Sequence, residues 1–379
     1  MALTKVSTGV VDMSGNTGGL VIAKGTTAQQ PTCNPPTTNN LGSIRENTDS
    51  GVNKVQVCTS TGWQFLEEVG PTSIPLTVEY LVVAGGGAGG NGMGAGGGAG
   101  GLIHNYGGTP LTLNTGNPYA VTIGGGAIGS TSNVTVNGSD SVFNTLTAIG
   151  GGGGSSLQMQ RNGGALNGAN GGSGGGSGAS DPGSYSGGTA LQPSSSSGGF
   201  GNAGGDQNGA NGYYPGAGGG GAGAAGQTVT TYDNGGAGGV GIQIDIDGNN
   251  YYWAAGGGGN GHSATPTGGY GGLGGGGGGS NYSGAFGLGG GTAINNGSNG
   301  STGNSQPGGN AGANTGSGGG GAAWQFGSGG NGGSGIVILR YPSAYAITFQ
   351  TGVGFSSSTA LLSATSEKVT TITAGSGTI

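Results

Sequence analysis

Short apolar segments, separated by polar and glycine-rich stretches, recur along the chain and predict β-strands. Residues 240–247 (VGIQIDID) alternate isoleucine with polar side chains, an Asp-Gly-Asn turn follows, and residues 250–254 add an aromatic segment. Alternation with a period of two around such a turn is typical of a β-hairpin. The apolar segments 79–83 and 336–341 are two further strand-like pieces, and they interrupt the glycine-rich sequence. We expect the first of them to open the central region and the second to close it as its partner.

A second group of predicted strands lies near the N-terminus. Residues 43–45 predict a short strand, residues 47–51 (NTDSG) a turn, and residues 54–58 (KVQVC) a strand with period-two alternation. A further short turn leads into residues 63–66. Together these elements predict a small β module over residues 1–76.

The two cysteines of the chain, Cys33 and Cys58, both lie in this module. Neither belongs to a Cys-x-x-Cys motif and no histidine lies near them, so their spacing does not indicate a zinc site. A disulfide between them would tie the proline-rich lead-in to the strand, and would contribute ~3 kcal/mol to stability in the chain-entropy model. The alternative is a pair of buried free thiols.

Glycine is concentrated in one part of the chain, because 94 of the 107 glycines fall within residues 77–342. We therefore divide the chain into the β module, a glycine-rich domain (77–342) and a tail (343–379) whose Thr-rich alternation predicts strands. Charged residues make up 5% of the chain and the formal net charge is -6, which leaves no basic patch for nucleic acid or an anionic membrane. No apolar run approaches the ~18 residues that span a bilayer, and the N-terminus lacks a signal-peptide pattern.

The composition of the central domain excludes most regular structures. Glycine costs ~1 kcal/mol per helical position relative to alanine, and runs such as GGLGGGGGGS break the Gly-X-Y period of collagen. The embedded strands and the low charge argue against a disordered linker. What remains is polyglycine II, an extended helix with three residues per turn whose N–H and C=O groups point outward to neighbouring segments. The predicted fold is mostly β and irregular: a bundle of polyglycine II helices flanked by short β-strands, with a small N-terminal β module.

Four segments of this domain resemble a known family. VEYLVVAGGGAGG, YAVTIGGG, NGSDSVF and GGSGIVILRYP follow one another along the chain. Similar segments occur in the glycine-rich domain of tailed-bacteriophage tail-fibre and adhesin proteins. The N-terminal strand-turn-strand also resembles a small module of phage structural and bacterial surface proteins. The resemblance implies a bundle of glycine helices, capped by β-strands, that displays variable loops to a host receptor.

This resemblance implies a virion structural protein, either a tail fibre or a tail-tip adhesin. Such a protein is made in the host cytoplasm without a signal peptide, is located on the virion surface, and has neither enzymatic activity nor a cofactor. Its expected partners are a host cell-surface glycan or outer-membrane protein, other virion tail proteins, and further copies of itself, with a trimer as one option. Neither nucleic acid nor membrane insertion is expected, and residues 1–76 are expected to attach to the virion.

Two other classes of function stay open. The first is a secreted cellular structural protein whose glycine-rich domains self-assemble into extracellular filaments or matrix, without a receptor loop. The second is an enzyme, the least favoured class. Spontaneous polymerisation of the purified protein would favour the first of these.

Receptor contacts are expected in the non-glycine segments that connect the glycine runs. Five such segments carry aromatic residues among Ser, Asn and Gly, the mixture that adaptable binding loops favour. For most of these rings, packing over neighbouring loops is the favoured interpretation, and receptor contact is expected for the minority. The candidate receptor-binding residues are Tyr185, Phe200, Tyr213, Tyr214, Tyr232, Tyr282 and Phe286.

Three further motifs do not support a function. Residues 85–90 match G-x-G-x-x-G, but a dinucleotide-binding turn opens a helix and is followed ~20 residues later by an acidic residue, and here no acidic residue follows until Asp140. Residues 245–249 (DIDGN) resemble a calcium loop, although a hairpin turn fits the flanking alternation better. His104 and His262 have no sequence partner for a metal site or a catalytic triad, so we expect neither.

Overall fold

The computed structural model describes most of the central and C-terminal chain and parts of the N-terminal segment. The chain divides into two compact units, Met1–Ser73 and Ile74–Ile379. The secondary structure is mostly β, with 3-10 turns at Thr27–Gln29 and Gln192–Ser194. The described residues are 23–29, 44–48, 54–59, 62–65, 74–132, 134–158, 167–178, 183–209, 214–229, 234–262, 267–350 and 354–379.

The first unit contains one four-stranded sheet. Its strands are β1 (Ala23–Gly25), β2 (Ile44–Asn47), β3 (Lys54–Thr59) and β4 (Gly62–Phe65), in that order across the sheet. Strand β1 runs parallel to β2, and the other neighbours are antiparallel. The predicted strands of the N-terminal module are thereby confirmed.

The disulfide prediction falls partly outside the described residues. Cys58 is 4% exposed and disulfide-bonded. It lies opposite Trp63 in the register of β3 and β4. Cys33 lies outside the described residues, so the Cys33–Cys58 pairing stays a prediction.

The second unit contains the remaining strands. They are β5 (Pro75–Val83), β6 (Leu102–His104), β7 (Leu111–Asn114), β8 (Ala120–Thr122), β9 (Ser141–Phe143), β10 (Leu146–Ala148), β11 (Ser184–Tyr185), β12 (Gln207–Asn208), β13 (Ile242–Gln243), β14 (Tyr252–Trp253), β15 (Ile336–Pro342), β16 (Ser356–Leu362), β17 (Glu367–Ala374) and β18 (Ser376–Thr378).

The main sheet joins the two apolar segments that the sequence pairs. Its order is β16-β17-β15-β5-β6, with β7 on the outer part of β5. Strands β5 and β15 are antiparallel, from Ile336 opposite Val83 to Arg340 opposite Glu79. The predicted pairing of entry and closing strands is confirmed.

Both faces of β5 and β15, at the centre of the main sheet, are buried, which explains their continuous apolar runs. On one face, Leu81 and Ile336 pack in a core with Trp253. On the other face, Val82 packs in a core with Phe143 of the second sheet, whose order is β10-β9-β8-β18. A strand that is covered on both sides needs apolar residues at odd and even positions alike.

The C-terminal residues 343–379 add strands to both sheets. Strand β17 pairs with β15 from Val337 opposite Ile372 to Pro342 opposite Glu367. Strand β18 pairs with β8 of the second sheet. The expected strands of the tail are confirmed, and they belong to the same compact unit as the glycine-rich region.

The hairpin predicted from alternation is confirmed but is short. Strands β13 and β14 pair with Ile242 opposite Trp253. The Trp253 indole Nε1 donates to the Ile244 carbonyl at 2.9 Å, beyond the ladder. At the turn, Gly248 has φ +85°, a conformation that glycine adopts without a Cβ clash, and its N–H donates to the Asp245 carbonyl.

The glycine segments run between these strands without forming helices or ladders, and their hydrogen bonds repeat every three residues. The N–H groups of residues 84–90 donate in rotation to three different neighbours, residues 95–101, 136–139 and 330–333. Every third residue returns to the same neighbour. The same rotation recurs along residues 95–101. The segment that matches G-x-G-x-x-G therefore opens no helix, in agreement with the rejection of a dinucleotide-binding turn.

Glycine is required in these segments because neighbouring backbones lie too close for a Cβ atom. A Cβ built on Gly86 would fall inside the contact distance of the Ser317 carbonyl oxygen, and one on Gly89 would meet the Gly320 carbonyl in the same way. Other glycines are not confined, since a Cβ on Gly125 would meet nothing within 4 Å. The packing of backbone against backbone therefore fixes most, but not all, of the glycines.

Candidate functional site

The glycine segments extend from the main sheet to the end of the bundle that lies farthest from it. The segment that leaves β5 ends near Gly94, which forms a bridge with Ser156. Asn281 forms bridges with Gly261 and Thr302 at the same end. We call this the sheet-distal end and define it as residues 91–94, 156–158, 214–216, 260–262, 280–284, 302–306 and 322–327.

Four aromatic rings from four different connections meet at the sheet-distal end. The His262 ring lies 5.1 Å from that of Tyr214 and 5.2 Å from that of Trp324, between ring centroids. Tyr282 stacks on His262 at 6.3 Å and lies 6.1 Å from Trp324. We call these residues, Tyr214, His262, Tyr282 and Trp324, the distal aromatic cluster.

An apolar floor supports the cluster from the side of the bundle. Met93 is fully buried and Leu157 is 4% exposed, and both Tyr214 and Trp324 pack against this pair. The outer side is open to solvent, since Tyr282 is 40% exposed. The cluster thus packs against the bundle on its inner side, and its outer side is accessible to solvent.

Asparagine side chains position the backbone that carries two of the rings. Near Tyr214, the Asn260 Nδ2 donates to the Tyr214 carbonyl at 3.2 Å. The buried Asn281 accepts hydrogen bonds through Oδ1 from the N–H groups of Ser283 and Gly284, both at 3.2 Å. Its Nδ2 donates to the Ala285 carbonyl at 3.3 Å, so one side chain ties up the loop after Tyr282. Asn amides favour such turns because they mimic a backbone group.

The cluster is electrically neutral. Burial lowers the pKa of His262 below its ordinary value, so the imidazole is uncharged at neutral pH. Among the residues that the structure describes at the sheet-distal end, none is Asp, Glu, Lys or Arg. The surface therefore offers aromatic faces surrounded by amide and hydroxyl groups, which suits sugar rings or uncharged protein loops better than ionic ligands.

Comparison with known proteins identifies the family of this chain. Residues 69–310, more than half of the chain, match a family described as a glycine-rich domain. The chain belongs to the glycine-rich domain family. Tyr214, His262 and Tyr282 lie inside the matched part, whereas Trp324 lies beyond it. Comparison with curated proteins gives no match.

The glycine-rich domain brings some of the seven candidate receptor-binding residues together and separates others. Tyr214 and Tyr282 meet in the distal aromatic cluster. Phe286 is 37% exposed and follows Tyr282 in the loop held by Asn281. Phe200 lies at the other end, beside the main sheet.

Phe200 and one more candidate, Tyr185, take separate positions, and the last two candidates lie outside the described residues. Phe200 is 41% exposed and stacks on His104 at 5.5 Å. Tyr185 is half-buried in β11, opposite Gln207. Tyr213 and Tyr232 lie outside the described residues.

Sequence reasoning missed His262 and Trp324 as members of the cluster. A usable signal was present, because both residues follow an uninterrupted glycine run: GGGGNG precedes His262 and GGGGAA precedes Trp324. Tyr282 likewise follows GGGGGGSN. Glycine runs that start beside the same sheet and have similar lengths reach a similar distance from that sheet. The residues that follow such runs therefore become neighbours.

No metal centre or membrane span appears in the described part of the glycine-rich domain. No group of three or more His, Cys, Asp and Glu side chains gathers in the residues that the structure describes. Asp247, in the segment resembling a calcium loop, accepts a hydrogen bond from the N–H of Asn249 and so serves the hairpin turn. The described helices include none long and apolar enough to cross a bilayer.

Proposed function

We propose that this protein is a bacteriophage tail fibre or tail-tip adhesin, which presents the distal aromatic cluster to a receptor on the host surface. The observation that carries the proposal is the convergence of Tyr214, His262, Tyr282 and Trp324 on one exposed, uncharged surface. Aromatic rings give a large contact area at low entropic cost, as hot spots of recognition surfaces do.

The glycine segments act as polyglycine II helices in this proposal. Support comes from the three-residue rotation of hydrogen bonds along residues 84–90, and from the close approach of neighbouring backbones. Neighbours run in both directions: Gly96 and Ala99 donate to the parallel residues Ala217 and Gly220. A lattice that satisfies N–H groups on three sides offsets the large entropic cost of ordering glycine.

Such a lattice would serve an adhesin as a rigid base for variable loops. The segments leave little room for side chains, so sequence variation is confined to the connections at the ends. Changes at the sheet-distal end can then alter receptor choice without disturbing the bundle. Residues 1–76 are the proposed attachment to other virion tail proteins, and assembly into a homo-oligomer, for example a trimer, belongs to the same proposal.

Virion location and the absence of enzymatic activity, cofactor, nucleic acid and membrane insertion are further parts of the proposal. The receptor is a surface glycan or an outer-membrane protein of the host. The neutral surface with amide and hydroxyl groups around aromatic faces is compatible with both.

The experiment that tests the proposal compares binding of the purified chain and its variants to host cells by flow cytometry. Tyr282→Ala and Trp324→Ala should each weaken binding by about tenfold or more, as the loss of hot-spot aromatics does. The control is Ile128→Ala, because Ile128 is an apolar residue that is 75% exposed and lies outside the cluster. Equal binding by all three variants on a strain that binds the wild type would refute the cluster as receptor contact.

A secreted protein that self-assembles into filaments or matrix is the second candidate. Strand β16 (SSSTALL) favours it, because the strand lies at the edge of the main sheet, carries no charge and is almost fully exposed. Unprotected edges invite strand pairing between molecules. Sedimentation of the purified protein distinguishes the candidates: concentration-dependent fibres abolished by Leu361→Lys would support assembly, and a stable small species would argue against it.

A further inference from the structure

An apolar cavity of about 410 Å³ lies beside the main sheet, and none of its lining residues belongs to the distal aromatic cluster. Leu76 and Val78 of β5 line one wall, and Leu339 and Tyr341 of β15 lie next to them. The turn after β7 closes one end. Residues 345–350 and the C-terminal residues 378–379 form the remaining sides.

The side chains that line the cavity are mostly apolar. Aliphatic and aromatic side chains supply most of the lining, and none of the lining residues is Asp, Glu, Lys or Arg. Several of them belong to, or pack against, the core that the two sheets share. The volume falls within the range of ~300 to 1,000 Å³ that is usual for small-molecule sites.

An extended strap covers the cavity, and it consists of residues 345–350. Tyr345, Ile347 and Phe349 are half-buried and pack against the shared core, while the residues between them are exposed. This alternation places one side of the strap over the cavity. The strap has the side-chain pattern of a strand although it belongs to no sheet.

The strap is held at its two ends. Lys368 Nζ donates to the Tyr345 carbonyl at 2.8 Å. At the other end, the Gln350 N–H donates to the Thr378 carbonyl at 3.0 Å, and Gln350 Oε1 accepts from Thr378. Among the described residues, 346–349 make no backbone hydrogen bond. The middle of the strap can therefore move outward without breaking a ladder.

The lining also includes polar side chains, some of which are exposed to solvent or already hydrogen-bonded. The Tyr119 hydroxyl is engaged, because it accepts from the Asn114 N–H at 2.7 Å and donates to the Asn114 carbonyl at 3.0 Å. The side chains of Asn114, Asn117 and Thr348 lie around the opening. A ligand with polar groups along its whole length would leave them unpaired against the sheet, at a large desolvation cost.

We propose that this cavity binds one apolar hydrocarbon chain of the fatty-acyl class. The chain lies between β5, β15 and the strap, and its polar head faces water at the Asn114 and Asn117 rim. An acyl chain fits the observations because it is apolar along its length and polar at one end. This inference is independent of receptor binding at the sheet-distal end.

The test is a fluorescence titration of the full chain with cis-parinaric acid, a polyene fatty acid that becomes fluorescent in apolar sites. The wild type should bind it saturably with a one-to-one stoichiometry. Leu76→Trp should abolish binding by filling the cavity from a half-buried wall position. The matched control is Ile128→Trp, which adds the same ring at an exposed position and should bind as the wild type does.

A second variant keeps the proposal open to refutation if Leu76→Trp fails to fold. Ile347→Asn places an unpaired amide on the strap wall, where the side chain is only half-buried, and should weaken binding about tenfold. Thermal melts report whether each variant is folded. Absence of saturable binding by the wild type, or equal binding by folded Ile347→Asn, would overturn the proposal.

Discussion

The ring of His262 lies edge-on to the ring of Tyr214, with 5.1 Å between their centroids and an interplanar angle of 84°. Trp324 lies 5.2 Å from the same histidine, and the Tyr282 ring stacks on it at 6.3 Å. One imidazole therefore joins rings from distant parts of the chain. Its protonation state bears directly on the stability of the cluster.

Acidification should destabilise the protein through this histidine. Burial lowers the pKa of His262 in the folded state below the ordinary value of about 6.5. The unfolded state then binds protons more readily, so stability is fully present above about pH 6.5 and is lost as the pH falls through 6.5 toward the folded-state pKa. Thermal melts between pH 8 and pH 5 measure this loss.

The matched variant for this prediction is His262→Phe, which keeps a ring but cannot be protonated. Its melting temperature should fall less between pH 7 and pH 5 than that of the wild type. His104 has a pKa lowered by burial as well, partly offset by a backbone hydrogen bond at Tyr106, so some pH dependence persists. An identical pH profile for wild type and His262→Phe would contradict the account.

Backbone packing predicts that alanine is tolerated at some glycines and not at others. Gly86→Ala should destabilise by at least ~1 to 3 kcal/mol, because its Cβ meets the Ser317 carbonyl oxygen. Gly125→Ala should be neutral or slightly stabilising, by up to ~1 kcal/mol, because its Cβ meets nothing and alanine restricts the unfolded chain. Chemical denaturation measures the free energy of unfolding of each variant. Equal changes in the two variants would contradict the prediction.

An ion pair on the main sheet predicts a second, smaller pH dependence. Arg340 Nε donates to Glu367 Oε2 at 2.8 Å. Burial raises the pKa of Glu367, but the bond from Arg340 outweighs this and the net pKa is lowered. Stability from this pair is present above the ordinary carboxyl pKa of about 4.3 and is lost as the pH falls through the lower folded-state value.

Glu367→Gln tests this pair, with a cost of no more than ~1 kcal/mol, because the carboxylate is 28% exposed and solvent screens the interaction. The variant should also lose stability less steeply than the wild type below pH 5. A cost of several kcal/mol would indicate that the residue does more than pair with Arg340.

The first unit should depend on its disulfide. Cys58→Ser should lower the stability of that unit by ~2 to 4 kcal/mol. Peptide mapping under non-reducing conditions should recover Cys58 linked to Cys33, the other cysteine of the chain. Recovery of an intermolecular Cys58–Cys58 peptide would instead make the disulfide a link between two copies.

The sequence predicts the strands of this fold better than it predicts which glycine segments are neighbours. Segments 79–83 and 336–341 are recognisable as strands because they are short apolar pieces within glycine-rich sequence. By contrast, the N–H of Gly97 donates to the carbonyl of Gly319, far away in the chain. Glycine has no side chain to specify a partner, so such neighbours follow from the whole lattice and not from a local pattern.

The sequence predicts a site of aromatic residues in the connections, but it identifies only two of the four residues of the distal aromatic cluster. Tyr214 and Tyr282 stand out as aromatics in polar connections. Trp324 follows two alanines that are buried in the bundle, so it does not stand out as part of a polar connection. His262 is considered only as a metal ligand or catalytic residue, and neither role is expected. Their common feature, a position at the end of a glycine run, becomes informative once the runs are known to start beside one sheet.

The central claim is that the sheet-distal end binds a host-surface receptor, and a competition assay tests it most directly. Purified protein is added to susceptible bacteria before they are infected by the phage to which the proposed function assigns it. The account predicts that the wild type blocks adsorption in a saturable way and that Trp324→Ala, checked for a native melting temperature, does not. The claim would be contradicted if the wild type bound and protected none of the susceptible strains. Equal protection by Trp324→Ala would contradict it as well.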